Sequence, residues 1–141
     1  MKSLLGLTIL TLSLSSIAAK NADPLQFVPG GQVVQVKLGE YLVKTPNGTN
    51  VELEFTSIGN LDEAEGDFIE KDVFIPGPGL KTLKEIETLV KGLGYTPTGD
   101  WSFDTQILGR KIYEVDAMKD NLKWELTIDA TDGSIIKEER D

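Results

Sequence analysis

Residues 110–141 read RKIYEVDAMKDNLKWELTIDATDGSIIKEERD, and apolar and polar side chains alternate through two successive stretches of it. Tyr113, Val115 and Ala117 share one face of the first stretch. Trp124, Leu126 and Ile128 share one face of the second, with Glu125, Thr127 and Asp129 on the other. A period of two is the signature of a half-buried strand. Asp132-Gly133 then supplies the positive φ that a tight return needs, and a third strand follows. A meander of this kind leaves one apolar face that something else in the chain must cover.

A cover is visible just upstream. Leu80, Leu83, Ile86, Leu89, Val90 and Leu93 recur at helical spacing on one stripe. Glu87 and Lys91 sit four apart in the favourable order, and Gly92 and Gly94 stop the helix, with Pro97 beyond. Residues 98–100 read as a polar loop and 101–108 as one more strand. Trp101, Phe103 and Trp124 are the large side chains available to fill the space between helix and sheet. The expected fold class is therefore α+β, with antiparallel β-meanders packed against one amphipathic helix.

The first half of the chain also reads as a meander. Val34, Val36 and Leu38 alternate with polar residues, Tyr41 and Val43 continue, and Pro46-Asn47-Gly48-Thr49 is a strong hairpin signal. Asn47-Gly48-Thr49 also matches the N-glycosylation acceptor pattern, but the turn accounts for the same residues. Val51, Leu53 and Phe55 return, Gly59-Asn60 turns again, and residues 61–64 read as a short acidic edge strand. Val51, Leu53 and Phe55 correspond in order to Trp124, Leu126 and Ile128, a self-similarity that suggests two tandem units.

Lys2 followed by an apolar run to Ile17, with small residues at Ser16, Ala18 and Ala19, describes a secretory signal peptide over residues 1–19. The run is shorter than the roughly 20 residues of a spanning helix, so a soluble periplasmic or secreted protein with no membrane span is expected. Residues 20–31 form a flexible lead-in containing Pro24, Pro29 and Gly30-Gly31. Residues 32–67 form the first meander, and 68–79 a connector stiffened by Pro76-Gly77-Pro78-Gly79. Residues 80–141 hold the helix and the second sheet.

Loss of Lys2 takes one of 14 basic residues from a chain with 23 acidic ones, moving the net charge from −9 to about −10. Such a charge repels phosphate backbones and anionic headgroups, so nucleic acid and membrane surfaces are poor partners and a basic protein patch or a cation suits it better. The chain has neither Cys nor His. Disulfides, thiol or Ser-His-Asp nucleophiles and the common zinc ligands are thereby ruled out. No phosphate-binding glycine loop is present, and no cofactor is expected. Paired carboxylates abound, yet a glycosidase site needs a cleft with two acids in separate environments, which a domain of this size barely accommodates. The acidic runs 62–67 and 129–133 offer oxygen ligands, but the second lacks the spacing of a calcium loop and is better read as a turn.

The arrangement YEVDA…WELTIDATDGSIIK resembles the PepSY domain family, specifically its small secreted members, most clearly over residues 80–141. That resemblance implies tandem PepSY-like units and a non-enzymatic, exported protein-interaction module. A peptidase-inhibiting or chaperone-like role in the cell envelope follows from it, with a secreted or envelope peptidase as partner. The alternative is a small envelope protein that binds a ligand or cation through its acidic face or in the gap between helix and sheet. Glu52, Glu54, Glu125 and Asp129 are the candidate binding residues; no catalytic residue and no metal ligand is assigned.

Overall fold

The computed structural model describes residues 21–68 and 72–141. The expected signal peptide lies outside them. A four-residue helix α1 (Pro24–Phe27) precedes strands β1 (Gln32–Lys37), β2 (Glu40–Lys44), β3 (Asn50–Phe55) and β4 (Leu61–Asp67). Helix α2 (Leu83–Gly92) follows, then β5 (Thr96–Thr105), β6 (Lys111–Lys119), β7 (Leu122–Asp129) and β8 (Ile135–Arg140). All eight strands form one open antiparallel sheet in strict chain order.

This overturns the expected α+β class. The fold is β-rich: two tandem meanders on a helix are replaced by one continuous eight-stranded meander with a single ten-residue helix beside it. The physical cause lies in β4. Read as a short edge strand ending at Ala64, it instead runs to Asp67 and hydrogen-bonds on its far side to β5, with Ala64 opposite Phe103 and Gly66 opposite Trp101. The ladder therefore never breaks between the two halves. β5 also begins earlier than expected, because a bulge between Pro97 and Trp101 absorbs the segment read as a loop.

Among the described residues the hydrophobic core lies on one face of the sheet. Val43, Val51, Leu53, Phe103, Tyr113, Val115, Leu126 and Ile128 are buried on it, as alternation requires. Leu83, Ile86 and Val90 bury their side chains from α2, each a gain of roughly 2 kcal/mol by area. Leu89 and Leu93, from the same stripe, are exposed. The remainder of the cover comes from segments read as lead-in and connector. Val28 is fully buried, Phe74 stacks 4.8 Å from Trp101, and the Ile75 N–H donates to the Phe27 carbonyl at 2.9 Å. Trp124 is half-buried and meets Tyr95 edge-on at 6.2 Å.

Local chemistry fixes these elements. Thr82 and Glu85 form a reciprocal capping box at the start of α2, with Thr82 N–H donating to Glu85 Oε1 at 2.8 Å and Glu85 N–H to Thr82 Oγ1 at 3.2 Å. Gly94 ends it at φ 94°. Gly66 is required by contact: a Cβ there would lie 3.2 Å from the Trp101 indole, whose Nε1 donates to the Asp67 carbonyl at 3.1 Å. Among the described residues no helix is long and apolar enough to cross a membrane.

Candidate functional site

Among the described residues no helix or strand layer covers the opposite face of the sheet. Alternation that sends Val51, Leu53 and Phe55 inward sends Glu52 and Glu54 outward from β3. The same alternation in β4 exposes Glu63 and Glu65. Register then places Glu52 directly opposite Glu65 and Glu54 directly opposite Glu63. Glu54 also faces Glu40 on β2, and Glu63 faces Asp104 on β5. Like charges in facing positions destabilise a sheet, because their Cβ atoms lie only about 5 Å apart.

This crowding shifts the proton affinity of the acids themselves. The Glu63 carboxyl is pushed up to about 7 by the hydrogen bond it donates to Glu54, then by partial burial and the negative charges of Glu54, Asp104 and Asp62. Glu65 is raised in the same way, first by its hydrogen bond with Glu52. Each facing pair thus holds one proton between two carboxyls more readily than isolated glutamates would. Carboxylate oxygens of Glu54, Asp62 and Glu63 lie within 4.8 Å of one another, close enough to share a hard cation.

An open depression of about 220 Å³ lies on this face, lined by Glu40, Glu52, Glu54, Glu63, Glu65 and Ser102. A second borders it at Asn50, Asp67 and Asp100. The space between α2 and the sheet, the other expected ligand site, is filled by Leu83, Ile86 and Val90. Of the four candidate residues, Glu52 and Glu54 line the depression. Glu125 stands on β7, opposite Asp116 and Glu139. Its carboxyl is raised by partial burial first, then by Glu114, Asp116 and Glu139. It belongs to the same acidic face, four strands away.

Asp129 has a different occupation. Its carboxylate accepts the Thr131 N–H at 2.7 Å and the Arg110 Nε–H at 3.2 Å, holding the β7–β8 turn. Those bonds keep it below the usual carboxylate range, the Thr131 bond most of all. The sequence offers Glu63 and Glu65 only as part of the acidic run 62–67 and does not single out Asp104. The alternation of β4 could have put Glu63 and Glu65 on one face, but their position beside β3 and β5 depends on long-range pairing.

No family model matches the chain, and no curated protein matches it. Among solved structures it is similar to a DUF2874 family protein from Bacteroides ovatus, at 15% identity and TM-score 0.40, covering 83% of this chain and 79% of that one. A DUF2874 family protein from Bacteroides uniformis matches at 15% identity and TM-score 0.39, covering 80% and 78%. A candidate periplasmic protein from Bacteroides eggerthii matches at 14% identity and TM-score 0.39, with the same coverage.

Proposed function

We propose that this chain is an exported, non-enzymatic interaction module whose unlayered acidic sheet face receives a cationic polypeptide. The observation that carries the reading is the facing of Glu52 with Glu65 and of Glu54 with Glu63. Once both carboxyls of a pair are ionised that arrangement costs folding stability, whereas a row of lysines or arginines laid across it would remove the repulsion. The depression is open and wide, suited to an extended segment rather than to an enclosed small molecule. The PepSY resemblance supports the narrower reading of a peptidase-inhibiting or chaperone-like protein of the periplasm or cell exterior.

The test is titration of residues 20–141 into a fluorescent Lys/Arg-rich peptide at low and high ionic strength. Saturable binding that weakens steeply with salt supports the reading; no binding at low salt removes it. Incubation with envelope metallopeptidases tests the narrower role, which fails if neither complex nor inhibition forms. A second reading, cation binding, is favoured by the cluster of Glu54, Asp62 and Glu63. Calcium titration by calorimetry separates the two, since heat and a raised melting temperature with calcium alone belong only to the second.

A further inference from the structure

Because the strands run in order and alternate in direction, the β1–β2, β3–β4 and β5–β6 turns all emerge at one end of the sheet. The Phe55 N–H donates to the Gly39 carbonyl at 2.9 Å, which holds the first two side by side. Each turn presents aliphatic side chains to solvent: Leu38 is 83% exposed, Ile58 65%, Ile107 91% and Leu108 101%. Successive tips are two strands apart, roughly 10 Å. At the opposite end the hairpin turns are polar, built from Pro46-Asn47-Gly48 and Asp120-Asn121. The fourth turn at the apolar end, around Gly133, leans instead on Leu89 and Lys81 of the helical layer.

Backbone conformation supplies a second observation. Leu38 sits at φ 37° and Leu108 at φ 77°, in the left-handed region that favours glycine and asparagine. Leucine there strains the backbone and gains nothing from burial. Asparagine at either position would relieve both costs, so nothing among the described residues accounts for the leucines.

We infer that this rim is a membrane-interface contact, seating Leu38, Ile58, Ile107 and Leu108 in the headgroup–acyl boundary of an uncharged bilayer surface. The tips stand on separate turns roughly 10 Å apart with polar residues between them, so they offer a folded partner no continuous apolar face to pack on. A fluid interface accepts tips at any spacing. Charge selects the lipid. Thr56, Ser57, Asn60, Thr105 and Gln106 beside the tips are uncharged; of the cations there, Lys37 stands opposite Glu40, Arg110 is paired with Asp129 at 3.2 Å and Lys111 donates to Thr105 Oγ1, while Asp62 and Asp104 begin the acidic face just behind them. Anionic headgroups are therefore repelled, and attraction to a zwitterionic surface is apolar in origin. The rim and the acidic face are different surfaces, and this inference does not rest on the binding reading above.

The experiment is flotation of residues 20–141, which contain every described element, with phosphatidylcholine vesicles, comparing the wild type with a Leu38→Asn/Leu108→Asn double variant. The wild type floats, equally at 0.1 and about 0.5 M salt, and less when about a third of the lipid is anionic. The double variant binds about tenfold more weakly, with a melting temperature unchanged or raised, so its loss cannot come from unfolding. Three results overturn the inference: no flotation of the wild type, equal flotation of the two proteins, or stronger, salt-sensitive binding to the anionic vesicles. A wild type that self-associates through the rim, with a monomeric double variant, overturns it as well.

Discussion

Glu54 and Glu63 stand directly opposite one another on β3 and β4, and a hydrogen bond joins their carboxyl groups. Such a bond needs one proton between them, which links the stability of the sheet to pH in a defined direction. Glu63 is raised from 4.5 to about 7, so the folded state holds a proton that the unfolded chain releases earlier. Its contribution is fully present below about pH 4.5 and is lost as pH rises through about 7.

Urea melts should therefore show the wild type less stable at pH 8 than at pH 5. Glu63→Gln keeps a hydrogen-bonding side chain and removes the charge. It should gain about 0.5–1 kcal/mol at pH 8, little at pH 5, and flatten the profile; the discount reflects solvent screening of a largely exposed pair. Equal pH dependence in variant and wild type would contradict the assignment.

At the acid limb the sign reverses. Asp129 and Asp132 are held below 3.8 by backbone N–H donors of the β7–β8 turn, Thr131 for the first and Ser134 for the second. Stability they confer is present above about 3.8 and lost as pH falls through their lowered values. Asp129→Asn should weaken the acid dependence and leave the decline from pH 5 to 8 intact, read from the same melts.

Gly66→Ala is expected to destabilise by about 1–3 kcal/mol. The new Cβ would meet the Trp101 indole at 3.2 Å, and Trp101 is buried and tied to the Asp67 carbonyl, so it has nowhere to retreat. Chemical denaturation together with tryptophan fluorescence checks this; an unperturbed Trp101 environment and unchanged midpoint would contradict it.

Leu108→Gly should stabilise by about 0.5–1 kcal/mol, because it relieves a left-handed φ of 77° and removes an exposed apolar side chain. The entropy of a more flexible unfolded chain offsets part of the gain. A lower melting temperature would show that Leu108 makes contacts that its exposure does not suggest.

Much of this organisation was legible in the chain. Period-two alternation marks β6 and β7 through Tyr113, Val115, Trp124 and Leu126, while Asn47-Gly48 marks the β2–β3 turn and Asp132-Gly133 the β7–β8 turn. Helical spacing marks Leu83, Ile86 and Val90 as the buried stripe of α2. Fold class was not legible, because it turns on β4 pairing with β5 across the intervening connector and helix. Local patterning at Leu61 and Ala64 cannot report a partner that distant in sequence. Pro97 and Gly99 hid the first part of β5, since a bulge tolerates residues that a regular strand excludes. The binding face was half legible for the same reason: Glu52 and Glu54 stand out as alternating acids, while Glu63 and Glu65 become their neighbours only through register.

The most direct test neutralises all four facing acids at once, as Glu52→Gln/Glu54→Gln/Glu63→Gln/Glu65→Gln, and measures folding stability and affinity for a Lys/Arg-rich peptide at pH 8. If the acidic face is kept for a cationic partner at a cost to the fold, stability rises by about 1–2 kcal/mol while affinity falls at least about tenfold. Unchanged affinity, or a variant less stable than the wild type, would contradict it.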